Sequence, residues 1–176
     1  MPEGHPLLAR GVPHRRCLAG QAWDWDGVHF EILHPGEADY AVATKPNAVS
    51  CVLRLQSAGG SALLTGDIEA AQEAALVRQF GARLQADVLV VPHHGSRTSS
   101  TAGFLAAVKP RVAVVQAAYR SRFGHPAPDV VARYEAQGVA VVRSDRCGAW
   151  RLSPAGGVSC ERQRQPRYWQ HQLQAP

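Results

Sequence analysis

Leu63-Leu64-Thr65-Gly66-Asp67, and further on Val88-Leu89-Val90-Val91-Pro92-His93-His94-Gly95-Ser96, are the stretches that decide how this chain folds. Each is an apolar run that breaks into a polar cluster. Between them Ile68, Ala71, Ala75, Leu76 and Phe80 recur at helical spacing, and Gly81 is placed to end the helix. A buried strand, a helix and a second buried strand imply parallel pairing in a sheet covered on both faces. An acid and a His pair therefore emerge from successive strand ends, where rigid backbone aims side chains at one point.

The pattern continues outward in both directions. Residues 98–108 read as a second helix and 111–116 as a strand. Residues 128–137 read as a third helix closed by Gly138, with 139–143 a further strand. Toward the N-terminus, 21–26 alternate around Trp23 and Trp25, and Asp26-Gly27 is a hairpin signal into 28–33. His34-Pro35-Gly36 ends that strand, 37–47 are loop-like, and 49–55 form another apolar strand before a turn into 62–64. The first half is thus a β-meander and the second half α/β.

Composition sets outer limits. A chain of 176 residues with 45% hydrophobic content fits one domain with a real core and excludes general disorder. The longest apolar runs are strand-sized, so no transmembrane span is expected, and residues 1–20 lack the charged start and apolar stretch of a signal peptide. The net charge of +5 comes almost wholly from arginine, with Lys45 and Lys109 as the lysines. Guanidinium forks suit phosphate and allow a polyanionic partner; an arginine-rich, lysine-poor chain also follows from genomic base content. Cys17, Cys51, Cys147 and Cys160 lack C-x-x-C spacing, which argues against a zinc ribbon or a thioredoxin-like site and leaves disulfides and redox compartment open.

Asp67 supplies an anionic oxygen able to bridge two cations, and His93 and His94 supply imidazoles, so the pattern points to a divalent metal. Each residue has a plainer reading: Asp67 as a helix cap, either His as a satisfied structural residue. His125, in Arg120-Ser121-Arg122-Phe123-Gly124-His125-Pro126, is a candidate ligand, phosphate contact or general acid, or simply a turn histidine. Ser96, Thr98, Ser99 and Ser100 either cap the next helix or present hydroxyls to a phosphate. Arg162, Arg164 and Arg167 beside Tyr168 and Trp169 suit contact with nucleic acid, or form a solvated terminus with one aromatic docked.

These residues together resemble a known family. Lys45-Pro46-Asn47, Ser50-Cys51-Val52-Leu53-Arg54, Leu63-Leu64-Thr65-Gly66-Asp67, Ala86-Asp87-Val88-Leu89 with Pro92-His93-His94-Gly95-Ser96, Gly124-His125-Pro126, and Arg143-Ser144-Asp145 with Gly148 resemble, in order, the C-terminal metallo-β-lactamase-like domain of the ComEC/Rec2 competence proteins. The resemblance covers roughly residues 15–152. It implies an αββα sandwich within an inner-membrane DNA-uptake channel, the soluble domain lying on the periplasmic side. It implies a metal-dependent nuclease, using Mn or Zn and no small-molecule cofactor, that hydrolyses the strand not imported. Its partners would be DNA, single-stranded or being unwound, and the competence uptake machinery. Asp67 would match the metal-bridging aspartate, either His93 or His94 the late metal-binding histidine, and His125 a residue near the site.

The sequence departs from the family most at its first metal motif, and the transmembrane helices and oligonucleotide-binding-like module expected upstream in full-length relatives are not seen either. The His-x-His/Asp-x-Asp-His cluster expected near the domain start is absent, since His5, His14, His29 and His34 stand isolated. The expectation is therefore a C-terminal portion: an irregular lead over 1–20, a partial domain over 21–152 and a basic polar tail over 153–176. Such a portion would be inactive alone and would expose a sheet edge and part of an apolar face. The alternatives are a non-catalytic DNA-binding or scaffolding module, or a small-ester hydrolase of the same superfamily.

Overall fold

In the computed structural model, which describes residue 6 and residues 14–42, 45–153 and 157–170, seven strands make one mixed sheet whose spatial order is their chain order. His5, most of the 1–20 lead and the last six residues lie outside the described residues. Strands β1 (Ala22–Trp25) and β2 (Val28–His34) pair antiparallel. Their turn places Asp26 and Gly27 at φ 49° and 75°, the double left-handed geometry of a tight hairpin. Strands β3 (Val52–Ser57) and β4 (Gly60–Leu64) continue the meander. From β4 the pairing turns parallel through β5 (Val88–Val90), β6 (Val112–Val115) and β7 (Ala140–Arg143).

Helices α2 (Ala70–Phe80), α3 (Ala102–Val108) and α4 (Pro128–Glu135) make the crossovers, and α1 (Glu37–Val42) lies earlier in the chain. After β7 come α5 (Ser144–Cys147), the hairpin β8 (Trp150–Leu152) and β9 (Val158–Cys160), and α6 (Glu161–Arg164). That hairpin straddles the boundary expected at 152. The four cysteines are paired, Cys17 with Cys51 and Cys147 with Cys160, at Cα separations of 6.1 and 4.7 Å.

Parallel strands laid down in chain order, each crossover right-handed, put all their helices on the same face. The core follows that rule: Leu63, Leu89 and Ala113, in one cross-strand row, pack in a single cluster with Leu76, Leu105 and Tyr134 from the helices. The expectation of a sheet covered on both faces is corrected here. On the opposite face Ile32, Leu53, Leu64, Val90, Val114 and Val142 stand in register across six strands. None belongs to that core, and Leu64 is 37% exposed. Trp23 extends this face by stacking on Phe30, ring centroids 5.1 Å apart.

Two other expectations shift. The loop-like 37–47 stretch holds α1 and the start of a 3-10 turn at Pro46–Val49, which delays the next strand to Val52. The helix expected from 98 begins at Ala102, with Thr101 as its cap accepting from Phe104 N at 3.4 Å. Residues 98–101 form an irregular turn, with Ser100 at φ 58°, held by side chains from two helices. Glu73 of α2, fully buried, accepts from Ser100 N at 2.5 Å and Thr101 N at 2.8 Å. Arg133 of α4 donates to the carbonyls of Ser99 and Ser100, and the Tyr134 hydroxyl meets Ser100 Oγ at 3.0 Å. Burial pushes the Tyr134 hydroxyl pKa well up.

At the opposite end of the strands, Asp87 Oδ2 accepts from Ser61 N at 2.9 Å and Ser61 Oγ at 3.0 Å. These bonds hold the Asp87 carboxyl below its ordinary pKa and pin β4 against β5. The register that results sets the spacing of everything at the far rim.

Removing Glu73 strands two backbone N–H groups in the core. Glu73→Ala is expected to lower the unfolding free energy by about 3 kcal/mol, measured by urea denaturation, and Glu73→Gln by less because one acceptor oxygen survives. An unchanged midpoint in Glu73→Ala would contradict this role.

Candidate functional site

The site is built where β4 and β5 end side by side. Thr65 Oγ1 donates to Val90 O at 2.8 Å, and His93 N donates to Gly66 O at 3.0 Å. Asp67 N donates to Ser50 Oγ at 3.2 Å. The turn carrying Asp67 is thus tied on one side to the loop before β3 and on the other to the end of β5. The cap of α2 is Glu69, whose N–H donates to Gln72 Oε1 at 3.3 Å. The Asp67 carboxylate is therefore not spent on the helix.

After β5 the backbone does something costly. His93, His94 and Gly95 take φ of 48°, 56° and 81° in succession. A non-glycine residue in the left-handed region costs roughly 1–2 kcal/mol, and such strain concentrates at functional sites. Gly95 has no such penalty, and it also has no room: a Cβ there would lie 2.6 Å from Pro126 Cβ. Ala127 N donates to Gly95 O at 2.9 Å, so the His pair and the His125 loop are held together at this glycine.

The left-handed run sends the two imidazoles to different partners. His94 Nδ1 lies 2.9 Å from Gln116 O, and Nε2 lies 3.5 Å from Asp67 Oδ1. A carbonyl only accepts, so Nδ1 carries the proton, and in neutral His94 the Nε2 lone pair faces a carboxylate oxygen. Two lone-pair donors turned toward each other suit a cation between them, and the Nδ1–H to carbonyl bond is the usual support of a metal-ligating histidine. Leu64, Gly66, Val90 and Gln116 complete a cleft of about 210 Å³ around this pair.

His93 belongs to a second cluster. Its Nδ1 lies 3.4 Å from Glu69 Oε1 and 3.3 Å from Thr98 Oγ1, its Nε2 3.5 Å from Asn47 Nδ2. Thr98 Oγ1 also donates to Glu69 Oε1 at 3.1 Å. The His125 ring stands 6.1 Å from that of His93, and its buried Nδ1 has no hydrogen-bond partner among the described residues. Burial, then the positive charges available on His93, His94 and Arg97, holds His125 below the ordinary histidine pKa.

The candidate hydroxyls divide. Ser99 Oγ donates to the carbonyls of Pro92 and Ser96, and Ser100 Oγ is taken by Tyr134, both side chains fully buried. Neither is free to meet a phosphate. Thr98 stands at the His93 cluster. In the tail Tyr168 is 96% exposed and packs edge-on against Trp169, so the expected docking of an aromatic on the domain is absent for Tyr168. Glu69 and Asn47 are site residues that the sequence reading left unnamed as such; Glu69 had a signal, since Glu69-x-x-Gln72 has the spacing of a capping box.

Among the described residues no three His, Cys, Asp or Glu side chains converge. The donors come as two pairs, Asp67 with His94 and Glu69 with His93. A catalytic zinc centre uses three protein ligands. These residues therefore fit part of a divalent-ion site rather than the whole of one.

No family model matches the chain. It is 40% identical over 169 residues to competence protein ComA of Neisseria gonorrhoeae, covering 95% of this chain and 24% of that protein. It is 36% identical over 137 residues to recombination protein 2 of Haemophilus influenzae, and 32% identical over 138 residues to ComE operon protein 3 of Bacillus subtilis. Each of these two matches covers 78% of this chain and 17% of the relative. The chain thus spans about a quarter or less of the length of these relatives.

Two measurements check the geometry. His94→Gly is expected to be more stable than His94→Ala by about 1 kcal/mol, because alanine keeps the left-handed penalty and glycine does not; an alanine variant as stable as the glycine one would contradict the strained turn. Imidazole NMR should find His125 titrating below the ordinary value of about 6.5. The unfolded chain then binds the proton more tightly than the folded one, so this group's contribution to stability is present above the ordinary value and is lost as pH falls below it. His125→Gln should remove that slope, and a His125 that titrates at or above the ordinary value would contradict the assignment.

Proposed function

The chain belongs to the ComEC/Rec2 family of competence proteins, and on that footing we propose that it supplies part of the centre with which a DNA-uptake protein hydrolyses phosphodiester bonds of the strand not taken in. The observation that carries this reading is the Asp67–His94 pair, an oxygen and a nitrogen lone pair facing each other at 3.5 Å across the ends of adjacent parallel strands. Asp67 and His94 would hold a Mn or Zn ion, with further donors joining them from the rest of the parent. Such an ion, when bound, supplies Lewis acidity and an activated water. Gln116 fixes the His94 tautomer, and Glu69 with Thr98 orients His93. His125, its ring 6.1 Å from that of His93 and its buried Nδ1 without a partner among the described residues, would hold or pass a proton on the His93 side of the site.

The open apolar face supports the same reading. In an αββα arrangement of the metallo-β-lactamase type a second sheet covers the face that carries Leu53, Leu64, Val90 and Val114. The two disulfides suit an oxidising compartment, which favours the periplasmic side. No helix of the described residues is long and apolar enough to cross a membrane, so anchoring in the inner membrane is assigned to the rest of the parent. With donors only in pairs, the chain alone is expected to be hydrolytically silent. That same feature favours a second reading, DNA binding without hydrolysis.

The test replaces the matching segment of the Neisseria gonorrhoeae relative with this chain. Membranes carrying the graft should release acid-soluble label from DNA in the presence of Mn or Zn, and Asp67→Asn should reduce that release by a factor on the order of a hundred or more. Label release that is independent of Asp67 would overturn the hydrolytic reading and leave the binding one.

A further inference from the structure

The connection from β6 to α4 rises directly beside the site. It is rooted at both ends, with Gln116 O on His94 Nδ1 and Ala127 N on Gly95 O. Between Gln116 and Pro128 it contains no carboxylate. Its crest exposes two aromatic rings, Tyr119 at 50% and Phe123 at 66%, and each carries its neighbour's guanidinium. Arg120 Cζ lies 5.3 Å from the Tyr119 centroid and Arg122 Cζ 4.8 Å from the Phe123 centroid. Among the described residues neither arginine has an ion pair in a carboxylate. The Phe123 ring lies 6.0 Å from that of His125 with planes 19° apart, so two nearly parallel rings lead from solvent toward His93, whose ring is tilted 59° to that of His125. Turns through Ala118–Ser121 and Ser121–Gly124, each closed by a backbone bond, hold the crest.

Exposed rings are unfavourable in water unless something covers them. An arginine resting on a ring is oriented, yet its donors are not consumed, and a phosphate accepts them bidentately. Rings and unpaired forks on one acid-free crest complement a chain that alternates flat apolar faces with negative charge. A duplex offers the charge but keeps its base faces stacked inside.

We propose that Tyr119, Arg120, Arg122 and Phe123 form a platform for single-stranded nucleic acid, with a base stacked on Phe123 and flanking phosphates held by the two arginines. This rests on the reading that the rim of the site meets DNA, and it names the form of DNA presented there: unpaired, with its backbone led from the platform past His125.

The test is binding of the full chain in excess chelator, read by fluorescence anisotropy of a labelled oligo(dT), its abasic counterpart and a duplex of the same length. Oligo(dT) should bind more tightly than the other two. Phe123→Ala should weaken oligo(dT) binding by roughly 5- to 150-fold, the range for one stacked base, and leave the abasic strand unchanged, while Phe123→Trp retains binding. Arg120→Gln with Arg122→Gln should weaken both strands and flatten the slope of log affinity against log salt by about 1.4. Oligo(dT) binding unaltered by Phe123→Ala, or an equal loss for the abasic strand, overturns the platform, as does a preference for duplex or for anionic phospholipid vesicles. Because the readout needs no hydrolysis, the two proposals fail separately. Normal Phe123-dependent binding with Asp67-independent cleavage sinks only the hydrolytic reading, and Asp67-dependent cleavage with normal binding by Phe123→Ala sinks only the platform.

Discussion

Three consecutive left-handed residues, His93, His94 and Gly95, are the constraint on which the site depends. A regular exit from β5 would line the two imidazoles up along one turn. The left-handed run instead sets His94 against Asp67 and Gln116, and His93 against Glu69, Thr98 and Asn47. The strain persists because the surroundings over-determine it. Pro126 closes over Gly95 from one side, the Gly66 carbonyl holds His93 N, and the 98–101 segment beyond is gripped by Glu73, Arg133 and Tyr134. Core and site are therefore one mechanical unit, in which a buried carboxylate on α2 keeps a strained turn on β5 from relaxing.

Topology decides which side of the sheet that unit serves. Strands added in chain order with right-handed crossovers leave all the long helices on one face. The opposite face keeps apolar rows in register from Ile32 to Val142, and the Asp67–His94 cleft opens onto it through Leu64 and Val90. On the reading proposed above, whatever covers that face in a longer protein would also close over the cleft.

Much of this was legible in the residues. Apolar runs ending in Thr65-Gly66-Asp67 and Pro92-His93-His94-Gly95 fixed two parallel strands, and Asp26-Gly27 fixed the first hairpin, because period and turn chemistry are local properties. Coverage of the faces was not legible: β5 and β6 are continuous apolar runs that read alike whether helices or another sheet lie above them. Nor was the division of labour between His93 and His94, which depends on a backbone region that histidine seldom visits. Glu73 was hidden inside a helix whose visible signal was its apolar stripe, and its acceptor role exists only once α3 arrives from thirty or so residues downstream. The start of α3 was misread for the same reason, since Thr98, Ser99 and Ser100 all look like caps and the structure uses Thr101.

The central claim is that Asp67 and His94, not His93, form the cation-facing pair. It is tested most directly by titrating Mn into the labelled chain while following long-range proton–nitrogen NMR correlations of the imidazoles. The account predicts that the His94 signals broaden first and that Asp67→Asn abolishes this preference. Broadening that begins at His93, or that is indifferent to Asp67, would contradict it.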